Sequence, residues 1–176
     1  MTVKKAHIIG FILSSLLGTL LHFVFEWTGE WPPAGVLSAV NESTWEHLKL
    51  LALPMLVFGV AEYFIYGRKY PGFITLRLLS ILLGMLIITA GFYTYTGVVG
   101  RNIDAVNIIL FELALLAAYR FSYRRMDENR FISRAANAWS LLGAATLLLL
   151  FIVFTYYPPH IGLFMDPLTG GFGIPN

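Results

Sequence analysis

The sequence predicts an all-α integral membrane protein: a single domain built as a five-transmembrane-helix bundle, with an ordered extracytoplasmic loop and C-terminal tail. Three observations predict it. Hydrophobic residues make up 57% of the 176 and charged residues only 12%, about half the roughly 25% charged fraction of soluble domains. Apolar stretches recur along the whole chain, each reaching the about 20 residues that cross a bilayer as helix. The Lys and Arg residues fall in alternate connections, so that one side of the bundle is basic and the other nearly free of them.

The same composition excludes several classes. A net charge of +2 is too small for a nucleic-acid partner. The chain has no Cys, which removes disulfides, thiolate metal ligands and a Cys nucleophile.

The first span is expected at about 6–26, preceded by the basic start Met1 to Lys5. Its length, and the EWTGEWPP that follows without a small-residue cleavage pattern, read as an uncleaved helix rather than a removed leader. Gly10, Ser14, Gly18, His22 and Glu26 recur every four residues and form one stripe, narrow enough for another helix to approach closely. Trp27 and Trp31 mark an interfacial belt, and Pro32, Pro33 and Gly35 break helicity in the connection.

The second span is expected at about 47–66, opened by a capping-box pattern of Ser43 with Glu46. Asn41 is an alternative cap. Pro54 interrupts this helix and frees a backbone carbonyl inside the membrane. Glu62, near its inner end, reads as a partner of Arg68 or Lys69. The third span, about 73–95, carries Arg77 at its start and a close-packing face at Ser80 and Gly84. The turn TGVVGRN then leads to the fourth, about 103–121, with Glu112 near its middle and Asn107 one turn outward. After the basic stretch YRFSYRRMDENRFISR comes the fifth span, about 135–156, ended by Pro158 and Pro159.

The tail, about 157–176, contains Ile161, Leu163, Phe164, Met165 and Phe172 and is too apolar to be a free solvated segment. It is expected to fold back over the outer mouth, with turns at Asp166-Pro167 and Gly170-Gly171.

Lys4, Lys5, Arg68, Lys69, Arg77, Arg120, Arg124, Arg125, Arg130 and Arg134 share one side, against Lys49 and Arg101 on the other. The positive-inside rule then gives a multi-pass protein of the cell (plasma or inner) membrane with a cytoplasmic N-terminus and an extracytoplasmic C-terminus. An odd helix number with short loops argues against two inverted transporter halves.

Polar density is concentrated in Val40 to Lys49, VNESTWEHLK. On the expected topology His22, His47 and His160 lie towards the outer face, with Glu26, Glu42, Glu46, Asp104 and Asp166. Three imidazoles beside carboxylates can hold zinc and leave one position open for water. The candidate metal ligands are therefore His22, His47 and His160, and the candidate catalytic carboxylates are Glu46, Glu26 and Asp166, with Glu46 as general base. Asn41, Glu42, Trp45 and Glu112 join the candidate site. Structural roles compete with each assignment. The capping box accounts for Glu46, the helix dipole suits Glu42, His47 beside Lys49 can be a wetted interfacial residue, and no HExxH is present. Glu112 stands apart, because a carboxylate at mid-membrane faces a cavity, a partner or a functional path. A Tyr hydroxyl and Arg77 are its candidate partners.

The segments HFVFEWTG, VNESTWEHLKLLALPML, FYTYTGVVG and YPPHIGLFMDPLTGGFG together resemble a family of small prokaryotic multi-pass membrane proteins catalogued only as a domain of unknown function. The resemblance covers nearly the whole chain. It implies a membrane location and a prokaryotic origin, and no activity. The ceramidase and adiponectin-receptor-like hydrolases, which pair three His with Asp and Ser around zinc, are similar only by analogy: they typically have seven helices and an HxxxH that this chain lacks.

Three functions are compatible with these residues. One is a membrane protein that binds a lipid, a small amphiphile or a partner membrane protein at an outer polar cavity, alone or as an oligomer. The second is a metal-dependent hydrolase or transferase. The third is a small transporter or proton-coupled channel using Glu112.

Overall fold

The computed structural model describes residues 2–128 and 133–175. Arg130, counted above on the basic side, lies outside the described residues, as do Met1 and Asn176. Among the described residues the long elements are α1 (Val3–Trp27), α2 (Thr44–Ile65), α3 (Phe73–Val99), α4 (Asp104–Arg125) and α5 (Arg134–Tyr156), with short 3-10 turns at Pro32–Val36, Gly67–Lys69 and Gly162–Phe164. All five are long and apolar enough to cross a membrane.

The helix ends explain where the expected boundaries moved. α1 begins near the start of the chain because the Thr2 hydroxyl accepts the Lys5 N–H at 3.3 Å. α3 runs through Gly97 and stops only at Gly100, whose φ of +76° is a left-handed conformation suited to glycine. α4 continues to Arg125, and its last turn places Arg124 and Arg125 at the negative end of the helix dipole.

The C-terminal ends of α1, α3 and α5 meet the N-terminal ends of α2 and α4 at one end of the bundle, together with the tail. The opposite, basic end carries Lys4, Lys5, Arg68, Lys69, Arg120, Arg124 and Arg125. Exposed indoles flank the spans at both ends, Trp27 and Trp31 near the tail and Trp139 near the basic end, as in the aromatic belts of membrane proteins.

α2 is the most buried helix. It packs against α1, α3 and α5, while α4 contacts α1 and α3, so α1 to α4 form a ring with α5 outside it. Leu51, Ala52, Met55, Ile81, Ala114, Leu115 and Phe151 build the centre of the core. Pro54 lies inside α2 and has no N–H to give the carbonyl of Leu50 four residues earlier. Gly18 of α1 sits against that carbonyl; a Cβ on it would lie 2.5 Å from the Leu50 oxygen. The small-residue stripe of α1 therefore has a defined use, with Gly10, Ser14 and Gly18 all buried.

The basic end holds a buried polar cluster that differs from expectation. Glu62 pairs with Arg77, not with Arg68 or Lys69, because the short α2–α3 connection brings the last turn of α2 beside the first turns of α3. Arg68 instead lies over the Phe64 ring, its guanidinium carbon 4.5 Å from the centroid. The Arg77 guanidinium also covers Tyr119 at 5.1 Å, Tyr119 meets the Ser14 hydroxyl at 2.8 Å, and His7 Nε2 lies 3.2 Å from Ser122 Oγ. Arg77 is thereby committed away from Glu112, and the hydroxyl that reaches Glu112 is that of Ser15, not of a Tyr.

Candidate functional site

The tail end of the bundle is assembled by three local devices. The first is in α1. The Ser38 hydroxyl accepts the Phe25 N–H at 2.9 Å and donates to the Leu21 carbonyl. It thereby ties the α1–α2 connection to the outgoing turn of α1, and His22 lies in that turn.

The second is at the start of α2. Ser43 is the N-cap, its hydroxyl 3.4 Å from the Glu46 N–H. The reciprocal half of the capping box is absent: the Ser43 N–H is taken at 2.9 Å by the Asn41 side-chain oxygen. Released from that role, the Glu46 carboxylate turns into the core. It accepts the Val40 N–H at 3.0 Å and pairs with Lys49 Nζ at 2.6 Å. Lys49 is fully buried and also donates to the Gly35 carbonyl at 2.6 Å and to Thr155 Oγ1 at 2.8 Å. The pair thus joins the α1–α2 connection, α2 and α5.

The third device is the tail. It folds back as expected: Met165 and Phe172 form an antiparallel bridge, Phe164 packs on Trp45, and Asn41 Nδ2 donates to the Gly173 carbonyl at 2.8 Å. Asp166 is spent within its own turn, accepting the Leu168 N–H and the Thr169 hydroxyl, each at 2.8 Å.

Between these devices α1 to α4 line an open-sided cavity of about 500 Å³. Leu50, Ile88, Phe92, Ile108, Leu110 and Phe111 supply its apolar wall, and Leu168 of the tail reaches its lining. Thr19, His22, Glu42, Thr44, His47, Asn102, Asp104, Asn107 and Glu112 supply the polar positions. Glu112 accepts the Ser15 hydroxyl at 2.5 Å. It lies eight residues along α4 from Asp104, so about 12 Å further into the bundle. Tyr95 bridges Asn102 and Asn107 at the α3–α4 turn.

The sequence-derived site residues separate into distinct groups. Among the described residues, His22, Glu42 and His47 form the group whose potential ligand atoms all lie within 4.8 Å of one another. Glu42 is placed between the two imidazoles, with Oε1 3.6 Å from His22 Nε2 and Oε2 3.5 Å from His47 Nε2. His160 is outside the group and stacks on Phe172 with centroids 4.6 Å apart. Glu26 is exposed, Glu46 is sealed against Lys49, and Asp166 caps its turn, so none of these carboxylates joins the imidazoles. Trp45 lies among Phe151, Phe154 and Phe164 at 5.0–5.5 Å, a core residue. Lys49, Thr155, Ser38 and Ser15 were not singled out from sequence. Glu46 and Lys49 at i,i+3 ahead of an apolar run was a usable signal for the first; nothing local marks the other three.

Fold and cavity together define a small polytopic helical membrane protein with a polar-lined cavity at one end. Residues 1–174 match the model described as Family of unknown function (DUF6512), and the chain belongs to that family. No curated protein and no solved structure matches the chain.

Proposed function

We propose that the protein binds a lipid or other small amphiphile in the cavity at the tail end of the bundle, with that end on the extracytoplasmic side of the cell membrane. The observation that carries this reading is the cavity itself. Its 500 Å³ falls in the range of ligand sites, roughly 300–1,000 Å³, and such sites combine an apolar wall with a few placed polar groups. The apolar side chains of α2, α3 and α4 suit a hydrocarbon segment, and the His22, Glu42 and His47 group suits a polar head. The orientation rests on the basic end: Lys4, Lys5, Arg68, Lys69, Arg120, Arg124 and Arg125 gather there, whereas Lys49 is buried in an ion pair and leaves Arg101 as the tail-end cation among the described residues.

The test is binding of a dansyl-labelled fatty acid to detergent-purified protein. Ile108 lines the cavity and is exposed, so Ile108→Trp fills space without disturbing the core. Saturable binding that weakens about tenfold or more in Ile108→Trp supports the reading, since about 1.4 kcal/mol of lost contact gives that factor. Absence of saturable binding, or equal affinity in the variant, sinks it.

A further inference from the structure

We propose that His22, Glu42 and His47 bind a divalent transition metal of the zinc type and leave one coordination position open to the cavity.

The donor chemistry is the starting point. Two imidazoles and one carboxylate form a borderline N/O set that suits zinc and its neighbours, whereas magnesium and calcium favour all-oxygen shells. The spacing agrees. Zinc bonds of about 2.0–2.2 Å at the tetrahedral angle hold neighbouring ligand atoms about 3.4 Å apart. Glu42 Oε1 lies 3.6 Å from His22 Nε2 and Glu42 Oε2 lies 3.5 Å from His47 Nε2, so the carboxylate spans the two rings, and one ligand atom from each of the three residues falls within 4.8 Å of the others. The two contacts are long for hydrogen bonds, and small side-chain rotations bring the three ligand atoms to the tetrahedral spacing.

The tautomer of His47 supplies an independent observation. Its Nδ1 lies 2.9 Å from the Ser43 carbonyl, which can only accept, so Nδ1 carries the hydrogen and Nε2 of the neutral ring presents a lone pair. That lone pair faces a carboxylate that also only accepts. A cation between them resolves the convergence, and a ring N–H tied to a backbone carbonyl is the usual support of a metal-bound histidine. The carbonyl belongs to the N-cap of α2 and is fixed by the cap and by Asn41. His22 is carried by the α1 turn to which Ser38 is tied. The three side chains are 32%, 39% and 27% exposed, so an ion can reach them from the mouth.

Three protein ligands leave a fourth position, and all three residues line the cavity. A water or an anionic head group, a carboxylate or phosphate, can take that position. The identity of that group rests on the proposed amphiphile binding; the metal does not.

The experiment is calorimetric titration of zinc chloride into chelator-stripped, full-length protein in detergent, with elemental analysis of the bound metal. One equivalent is expected in the wild type and in His160→Ala. Glu42→Gln and His22→Gln, both at half-exposed positions, should each weaken binding about 100-fold or more, at or beyond the range seen on disturbing a ligand's support. His47→Ala should do the same, with circular dichroism reporting whether the helices are retained. Zinc that is not bound, that is bound equally by Glu42→Gln and His22→Gln, or that His160→Ala removes overturns the proposal. Fatty-acid binding is measured separately on metal-free protein. Zinc binding without it sinks only the amphiphile reading, and fatty-acid binding without zinc sinks only the metal.

Discussion

Lys49→Met should be among the most damaging single changes in the protein. The substitution nearly keeps the volume but removes a cation that is 0% exposed from a carboxylate that is 2% exposed. Glu46 then retains the Val40 N–H at 3.0 Å and the Thr155 hydroxyl at 3.1 Å but loses the 2.6 Å ion pair. Breaking a buried pair from one side costs about 3–5 kcal/mol, because the remaining charge is left uncompensated. The surviving Val40 contact places Lys49→Met towards the lower end of that range. Glu46→Gln strands Lys49 on two neutral acceptors, Gly35 and Thr155, and should lose a similar amount. The double variant leaves no buried charge, and replacing a pair by neutral groups is often close to neutral, so it should lie within about 2 kcal/mol of the wild type. The measurement is unfolding in mixed micelles of rising denaturing-detergent content, followed by tryptophan fluorescence and circular dichroism, for all four proteins. Single losses below about 1 kcal/mol, or losses that simply add in the double variant, would refute the claim that the two groups form one coupled charge pair.

Other perturbations test other parts of the structure. Gly18→Ala drives a methyl group against the Leu50 carbonyl, a backbone atom that cannot swing aside, and should lose about 1–3 kcal/mol in the same assay. Gly97→Ala, where nothing lies within 4 Å, should instead stabilise α3 slightly, by up to about 1 kcal/mol; equal effects at both glycines would contradict the packing described. Asn41→Ala removes the side-chain bonds to Ser43 and Gly173. It should speed proteolysis of the tail while the spans stay intact, and an unchanged cleavage rate would show that the apolar contacts of Leu163, Phe164, Phe172 and Ile174 hold the tail without the amide. Glu112→Gln keeps an acceptor for Ser15 and should fold normally. A proteoliposome proton or cation flux that disappears in this variant would favour transport, and a flux that survives counts against a path through Glu112.

Much of the architecture was legible because apolar length and the placement of Lys and Arg report directly on a bilayer. The spans were found from those two signals, and the errors fell at their ends. TGVVGRN reads as a turn, yet Gly97 remains helical and α3 stops only at Gly100, which adopts positive φ. Arg124 and Arg125 read as loop charge, yet they finish α4. The candidate site was less legible, since spacing arguments assume that neighbouring polar residues share a helix. Glu42 and Glu46 are four apart but do not share one: α2 begins at Thr44, so Glu42 turns out to the imidazoles and Glu46 turns in to Lys49. His22 likewise meets Glu42 across the α1–α2 connection, while Glu26, its i,i+4 neighbour, remains exposed. Ser38 could not have been identified at all, because its effect depends on a hydroxyl meeting a helix turn that lies well before it in the chain.

The ties made by Thr155 and Gly173 have a consequence for biosynthesis. Lys49 and its partner on α5 are 106 residues apart, and a ribosome adding about 5–20 residues per second takes on the order of 5–20 s to travel between them. During that interval the first helices are already made, but Lys49 lacks the Thr155 hydroxyl, and Asn41 waits longer still for Gly173. The end of the bundle that carries the cavity is therefore closed only after α5 and the tail have been made. A chain cut short before α5 would enter the membrane with its early spans formed and its charged pair unfinished, a state that quality-control proteases acting at the tail side of the membrane could distinguish from the mature protein.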